Sequence, residues 1–109
     1  MADAADQTAI EAARLLERAE WLNRARIDPS VTPSAFRVAA TIAAMTGTAD
    51  ILRCTTLKLA FQSATSKPTL SQSLDRLAAR RFISLKRKGR SASIEIHILA
   101  ARSQATLRR

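Results

Sequence analysis

Tyrosine is absent from this 109-residue chain, and Cys54 and His97 are the only cysteine and histidine. A lone thiol builds neither an internal disulfide framework nor a cysteine-based zinc site, which suits a reducing cytoplasm. With a single histidine and no clustered carboxylates, no metal site is indicated and no cofactor is expected. The two glycines, Gly47 and Gly89, are too few for the loops that cradle mononucleotide phosphates. Three phenylalanines and one tryptophan are sparse for a reader of single-stranded RNA, which stacks bases on aromatic rings. No apolar run approaches the roughly 18 residues of a membrane span. The longest, residues 38–45, reaches about a dozen ångströms as a helix and suits a buried core element. Residues 1–6 hold two acids in place of a basic and apolar leader, so the expected location is cytoplasmic, on the nucleoid. Cys54 with His97 is the one nucleophile–base pair on offer. His97 alternates with Ile96 and Ile98 on the polar side of a strand pattern, so it reads as a rim residue, and an enzyme is not expected.

What the chain does have is positive charge. Eighteen Lys and Arg against nine Asp and Glu give +9, and 47% apolar residues suffice for one modest domain. The charge is uneven: residues 1–50 carry seven acids and five bases, whereas residues 51–109 carry two acids and thirteen bases, netting −2 and +11. A basic half inside periodic segments points to a polyanionic partner facing that half. The first half then folds or pairs with another chain.

Periodicity divides the chain further. Over residues 8–26, Ala9, Ala12, Leu15, Leu16, Ala19 and Leu22 recur at three- and four-residue steps, the pattern of an amphipathic helix. Ile10 and Trp21 lie opposite that face, which makes them candidates for a dimer interface. Pro29 and Pro33 break this helix. Thr32 caps a second one that is apolar nearly all round and ends at Gly47. Ile51-Leu52-Arg53-Cys54 reads as brief extended chain, after which Thr55 or Thr56 caps a third helix holding Leu57, Leu59, Ala60 and Phe61. Ser66 caps a fourth, residues 67–81, with the stripe Leu70, Leu74, Leu77, Ala78. From Phe82 the period switches to two, and Ile94-Glu95-Ile96-His97-Ile98 alternates likewise. Between these strands lies the cationic loop Lys86-Arg87-Lys88-Gly89-Arg90, which a β-hairpin accommodates. The expected fold is mainly α with a small β-hairpin.

Leu59-Ala60, the Ser66 cap, Leu70, Leu74 and Leu77, followed by a basic hairpin, resemble the winged helix-turn-helix family of bacterial DNA-binding regulators over residues 33–99. Where that family commonly has glycine and then an apolar residue in the turn, this chain has Ala64 and Thr65. The expected organisation is a DNA-binding domain over 33–99, which the resemblance marks out, preceded by an N-terminal helical arm over 1–32 and followed by a basic tail over 100–109, the arm and the tail being the candidates for a dimer interface. The resemblance also implies transcriptional regulation, with repression the commonest mode.

With the leucines turned inward, Pro68, Thr69, Gln72 and Arg76 face out with Lys67, and Ser71 and Ser73 lie on the flanks. Gln72 suits an adenine edge, Arg76 a guanine or phosphate, and the Thr69 methyl a thymine methyl. Ser66 with the helix N-terminus, and Thr55 and Thr56 at the preceding helix, suit phosphates. Lys86, Arg87, Lys88 and Arg90 form the expected wing, touching backbone or minor groove. One short helix reads too few base pairs for genomic specificity, so a homodimer on a pseudo-palindromic duplex is expected. Other readings are a plasmid or phage replication or partition factor, an RNA- or nucleoid-coating protein, and a winged module that docks a protein. No membrane partner and no small-molecule effector are suggested.

Overall fold

A computed structural model describes residues 4–87 and 92–99, with side chains from residue 6 onward. The elements run α1 (Ala4–Ile27), α2 (Pro33–Thr46), β1 (Ile51–Thr55), α3 (Thr56–Ser63), α4 (Lys67–Ala79), β2 (Ile83–Arg87) and β3 (Ser93–Ile98). Local side-chain chemistry starts three of the helices. The hydroxyls of Thr32, Thr55 and Ser66 accept from the amides of Ala35, Lys58 and Thr69 at 3.1, 3.1 and 3.3 Å, each satisfying an orphan N–H.

The helix ends are less conventional. α3 stops at Ala64, which sits in the left-handed region (φ 55°, ψ 45°) where glycine is usual. After α4, Arg81 also takes a positive φ of 66°. There the Arg81 amide donates to the Ala78 carbonyl at 3.1 Å and the Phe82 amide to the Leu77 carbonyl at 3.0 Å. This is a Schellman closure with arginine in the glycine position, and it turns the buried Phe82 back onto the core.

α2 is the central helix, packed against α1, α3, α4 and β1. Ala35, Val38, Ala39, Ile42 and Ala43 are its buried residues. Around them gather Leu59 and Ala60 of α3, Leu70, Leu74 and Leu77 of α4, and Ile83, Ile94 and Ile96 of the sheet. The three leucines are each at most 1% exposed. Their burial contributes roughly 5–9 kcal/mol as an upper estimate and fixes α4 in place.

The sheet has three strands where a two-stranded hairpin was expected. Its order is β1-β3-β2, all antiparallel. The extended segment at Ile51 pairs with β3 in the register Leu52↔Ile96 and Cys54↔Ile94. An isolated hairpin is marginal in water, and the third strand completes an apolar face that the helices cover. A three-residue turn joins α3 to α4, and the β2–β3 ribbon follows α4 directly. This is a winged helix-turn-helix.

α1 turns a different face inward from the one its periodicity suggested. Residues 6–17 are all exposed, including Leu15 at 57% and Leu16 at 62%. Trp21 and Ala25 instead enter the core, at 1% and 0%. The helix thus divides: its first half stands clear, and its second half is built into the domain.

Candidate nucleic-acid interface

With Leu70, Leu74 and Leu77 committed to the core, α4 presents Lys67, Pro68, Gln72, Asp75, Arg76 and Ala79 as exposed residues. Thr69 and Ser71 are half-buried at the margins. The Ser66 hydroxyl, besides capping the helix, donates to Thr69 Oγ1 at 3.0 Å, so its proton is already used. Ser73 corrects the sequence reading. It is 4% exposed and lies on the leucine side, one helical turn from both Leu70 and Leu77, where no external ligand reaches it.

The two described wing cations lie on opposite faces of the ribbon. Lys86 stands opposite Glu95 in the β2–β3 register, on the outer face of the sheet. Arg87 comes off the other face, shared with Ile83 and Leu85, and its Nη2 lies 3.3 Å from Asp75 Oδ1 on α4. This exposed ion pair clasps the ribbon to the outward side of α4. Lys88 and Arg90 lie outside the described residues, as does the tail from residue 100.

At the α3 N-terminus Thr55 is occupied as the cap, and the half-buried Thr56 ties its amide to the Ala92 carbonyl at 2.9 Å. Lys58, one turn along, is an exposed cation that the sequence reading passed over. It lies close enough to Cys54 to lower that thiol's pKa, but burial dominates and pushes the thiol up, away from thiolate character. Cys54 shares the core face with Leu52, whereas His97 lies on the opposite face, donating from Nε2 to Glu95 Oε1 at 2.6 Å. The two are no dyad.

Glu95 also accepts from Arg53 Nε at 3.4 Å, and these contacts, the His97 hydrogen bond foremost, hold its carboxyl below the ordinary value. Elsewhere Arg80 Nε meets Asp28 Oδ2 at 2.9 Å, pinning the end of α4 to the α1–α2 connection.

Of the two residues expected at a dimer interface, Ile10 is 45% exposed and remains available. Trp21 does not. Its indole N–H donates to the Phe82 carbonyl at 2.9 Å and its ring meets Phe82 edge-on at 6.3 Å, so it belongs to the core. Beside it the Arg18 guanidinium donates to Thr46 Oγ1 (2.6 Å), the Gly47 carbonyl (3.1 Å) and the Ala49 carbonyl (3.0 Å). It thereby satisfies the C-terminal end of α2, where a cation also suits the helix dipole. Desolvation lowers its pKa, with Asp50 opposing.

Two large apolar side chains of α3 stand outside: Leu57 is 63% and Phe61 82% exposed. They sit one turn apart, opposite the buried Leu59, Ala60 and Ser63. The eight-residue length of α3 was the available signal, because turning Leu59 and Ala60 inward forces Leu57 and Phe61 out.

No family model and no curated protein matches the chain. Among solved structures, AbsC, a MarR family transcriptional regulator from Streptomyces coelicolor, is similar over 99% of this chain and 72% of its own length, with 15% identity and a TM-score of 0.42. Among the described residues, no helix is long and apolar enough to cross a membrane, and no group of three or more His, Cys, Asp or Glu side chains gathers to hold a metal.

Proposed function

We propose that the protein is a sequence-specific, double-stranded DNA-binding transcriptional regulator of the cytoplasm, acting as a repressor and as a homodimer on a pseudo-palindromic operator. One observation carries this reading: Gln72 and Arg76 stand exposed on a helix fixed from behind by three buried leucines, with the Arg87 strand clasped alongside at 3.3 Å. An exposed helix face of this width fits a major groove, and the neighbouring ribbon reaches the adjacent backbone.

In this reading Gln72 bonds an adenine edge, Arg76 a guanine edge or phosphate, and Thr69 offers its methyl to thymine. Lys67, with its own backbone N–H at the start of α4, holds a phosphate, aided by Thr55 and Thr56 where α3 begins. Lys86, continuing into Lys88 and Arg90, follows the backbone beyond the groove, and Arg87 joins it when released from Asp75. Dimerisation uses the exposed outer stripe of α1, namely Ala9, Ala12, Leu15, Leu16 and Ala19, in place of Trp21.

In vitro selection from a random duplex library, followed by fluorescence anisotropy on the selected site, tests the proposal. Arg76→Ala and Gln72→Ala each cost the selected site about 1–3 kcal/mol, roughly fivefold to 150-fold, while random-duplex binding falls less. Equal affinity for RNA and duplex, or no enriched sequence at all, overturns the reading.

A further inference from the structure

The outer stripe of α1 needs a mate, and its surroundings indicate which. On a helical wheel Ala9, Ala12, Leu15, Leu16 and Ala19 form one strip, bracketed by Glu11 on one edge and by Glu20 on the other, with Arg14 and Glu17 turned to the far side. Pairing this strip with the same strip of a second copy sets acids against acids along the edges, whichever way the helices run. A mate without acids suits it better. α3 supplies one: Leu57 and Phe61 form an apolar pair one turn apart, and Lys58 beside them is the only charge on the helix.

Phe61 is the most exposed large apolar side chain of the described residues, and covering it removes on the order of 150 Å² of largely apolar surface from water. In cis the contact is barred, because the strip faces away from the body that contains α3.

We infer that the free half of α1 in one chain packs on the Leu57–Phe61 face of α3 in a second copy, Glu20 meeting Lys58, with the exchange reciprocated across a two-fold axis. The inference rests on the homodimer reading above and names its interface. Two arm-on-α3 contacts close the dimer, and they double the area that either contact buries alone. They also tie each recognition helix to the other chain's arm, which sets the separation of the two α4 helices and hence of the half-sites.

Sedimentation of the full chain, free of DNA, supplies the first readout. The wild type sediments as a dimer, and Phe61→Ser raises the dissociation constant about a hundredfold, since two symmetry-related phenylalanines lose their cover. Its thermal unfolding at monomeric concentrations is unchanged, because Phe61 lies outside the core. A wild type that stays monomeric overturns both the homodimer reading and this inference. A dimer of unaltered strength in Phe61→Ser overturns the inference alone.

The second readout uses a Cys54→Ser background. Chains bearing Leu16→Cys, mixed with chains bearing Phe61→Cys, form the mixed disulfide in preference to either homodisulfide. Faster self-linking of Leu16→Cys assigns the strip to its own copy and sinks the proposal.

Discussion

Replacing Asp75 by asparagine removes the only acid between residues 51 and 94 from the face that the proposed function turns toward DNA. It also releases Arg87, whose guanidinium it holds at 3.3 Å. The pair is exposed, at 45% and 70% for its side chains, so its contribution to folding is under about 1 kcal/mol and Tm shifts little. Binding responds more. A carboxylate ~6 Å from one phosphate repels it by ~0.7 kcal/mol in water, and two such phosphates give ~1.4 kcal/mol before salt screening reduces the figure.

Asp75→Asn therefore tightens binding to a random-sequence duplex about threefold to tenfold near 0.1 M salt. If the freed Arg87 adds one phosphate contact, the slope of log affinity against log salt steepens by about 0.9. Anisotropy titrations between roughly 50 and 200 mM salt measure both quantities. Arg87→Ala in the Asp75→Asn background returns the slope to its wild-type value. Weaker binding with an unchanged slope refutes the reasoning, for it means that Asp75 orients Arg87 for the duplex, or that this face never meets one.

Three further outcomes follow from the packing and the titrations. Leu74→Ala, at a fully buried site against α2, lowers stability by about 2–5 kcal/mol and Tm by roughly 10–20 °C in a thermal melt, with DNA affinity lost in parallel because α4 loses its seat. Ala64→Gly relieves the left-handed conformation at the end of α3 and raises stability by about 0.5–1 kcal/mol, a few degrees in Tm; a fall instead means that the turn is not strained. For Glu95→Gln, the sign follows from a carboxyl held below its ordinary value of 4.5. Folding favours the ionised form, so the wild type is the more stable above that value, and its advantage over the variant shrinks as the pH falls through the lowered folded-state pKa; Tm measured at pH 7 and stepwise below pH 5 checks this.

The parts of the fold that rest on neighbours in sequence were legible. Thr32, Thr55 and Ser66 cap helices because a hydroxyl reaches an amide three residues on, and α4 announced its inner face through three leucines. The parts that rest on distant partners were not. β1 could be read as extended, but its pairing with β3 joins residues about forty apart, and nothing near Ile51 specifies that partner. Ala64 and Arg81 hold positive φ without being glycine, so neither helix end carried its usual sign. Ser73 looked like a polar flank residue; it is small enough to sit among the leucines, and size outweighed polarity there.

α1 shows why a hydrophobic stripe alone does not decide which face is buried. Two candidate faces were present, one of alanines and leucines and one with Trp21, and area alone favours the first only weakly, because alanine buries little. The second face carries Trp21 and Ala25 with the stem of Arg18, whose head finds three acceptors where α2 ends. Those acceptors exist only once α2 has formed and stopped at Gly47. A buried arginine is costly without partners and acceptable with several, so the orientation of α1 depends on the end of another helix 28 residues away. The same fact leaves the alanine–leucine strip outside, and that exposed strip is what the proposed function gives to a second copy while it turns the basic half toward a duplex.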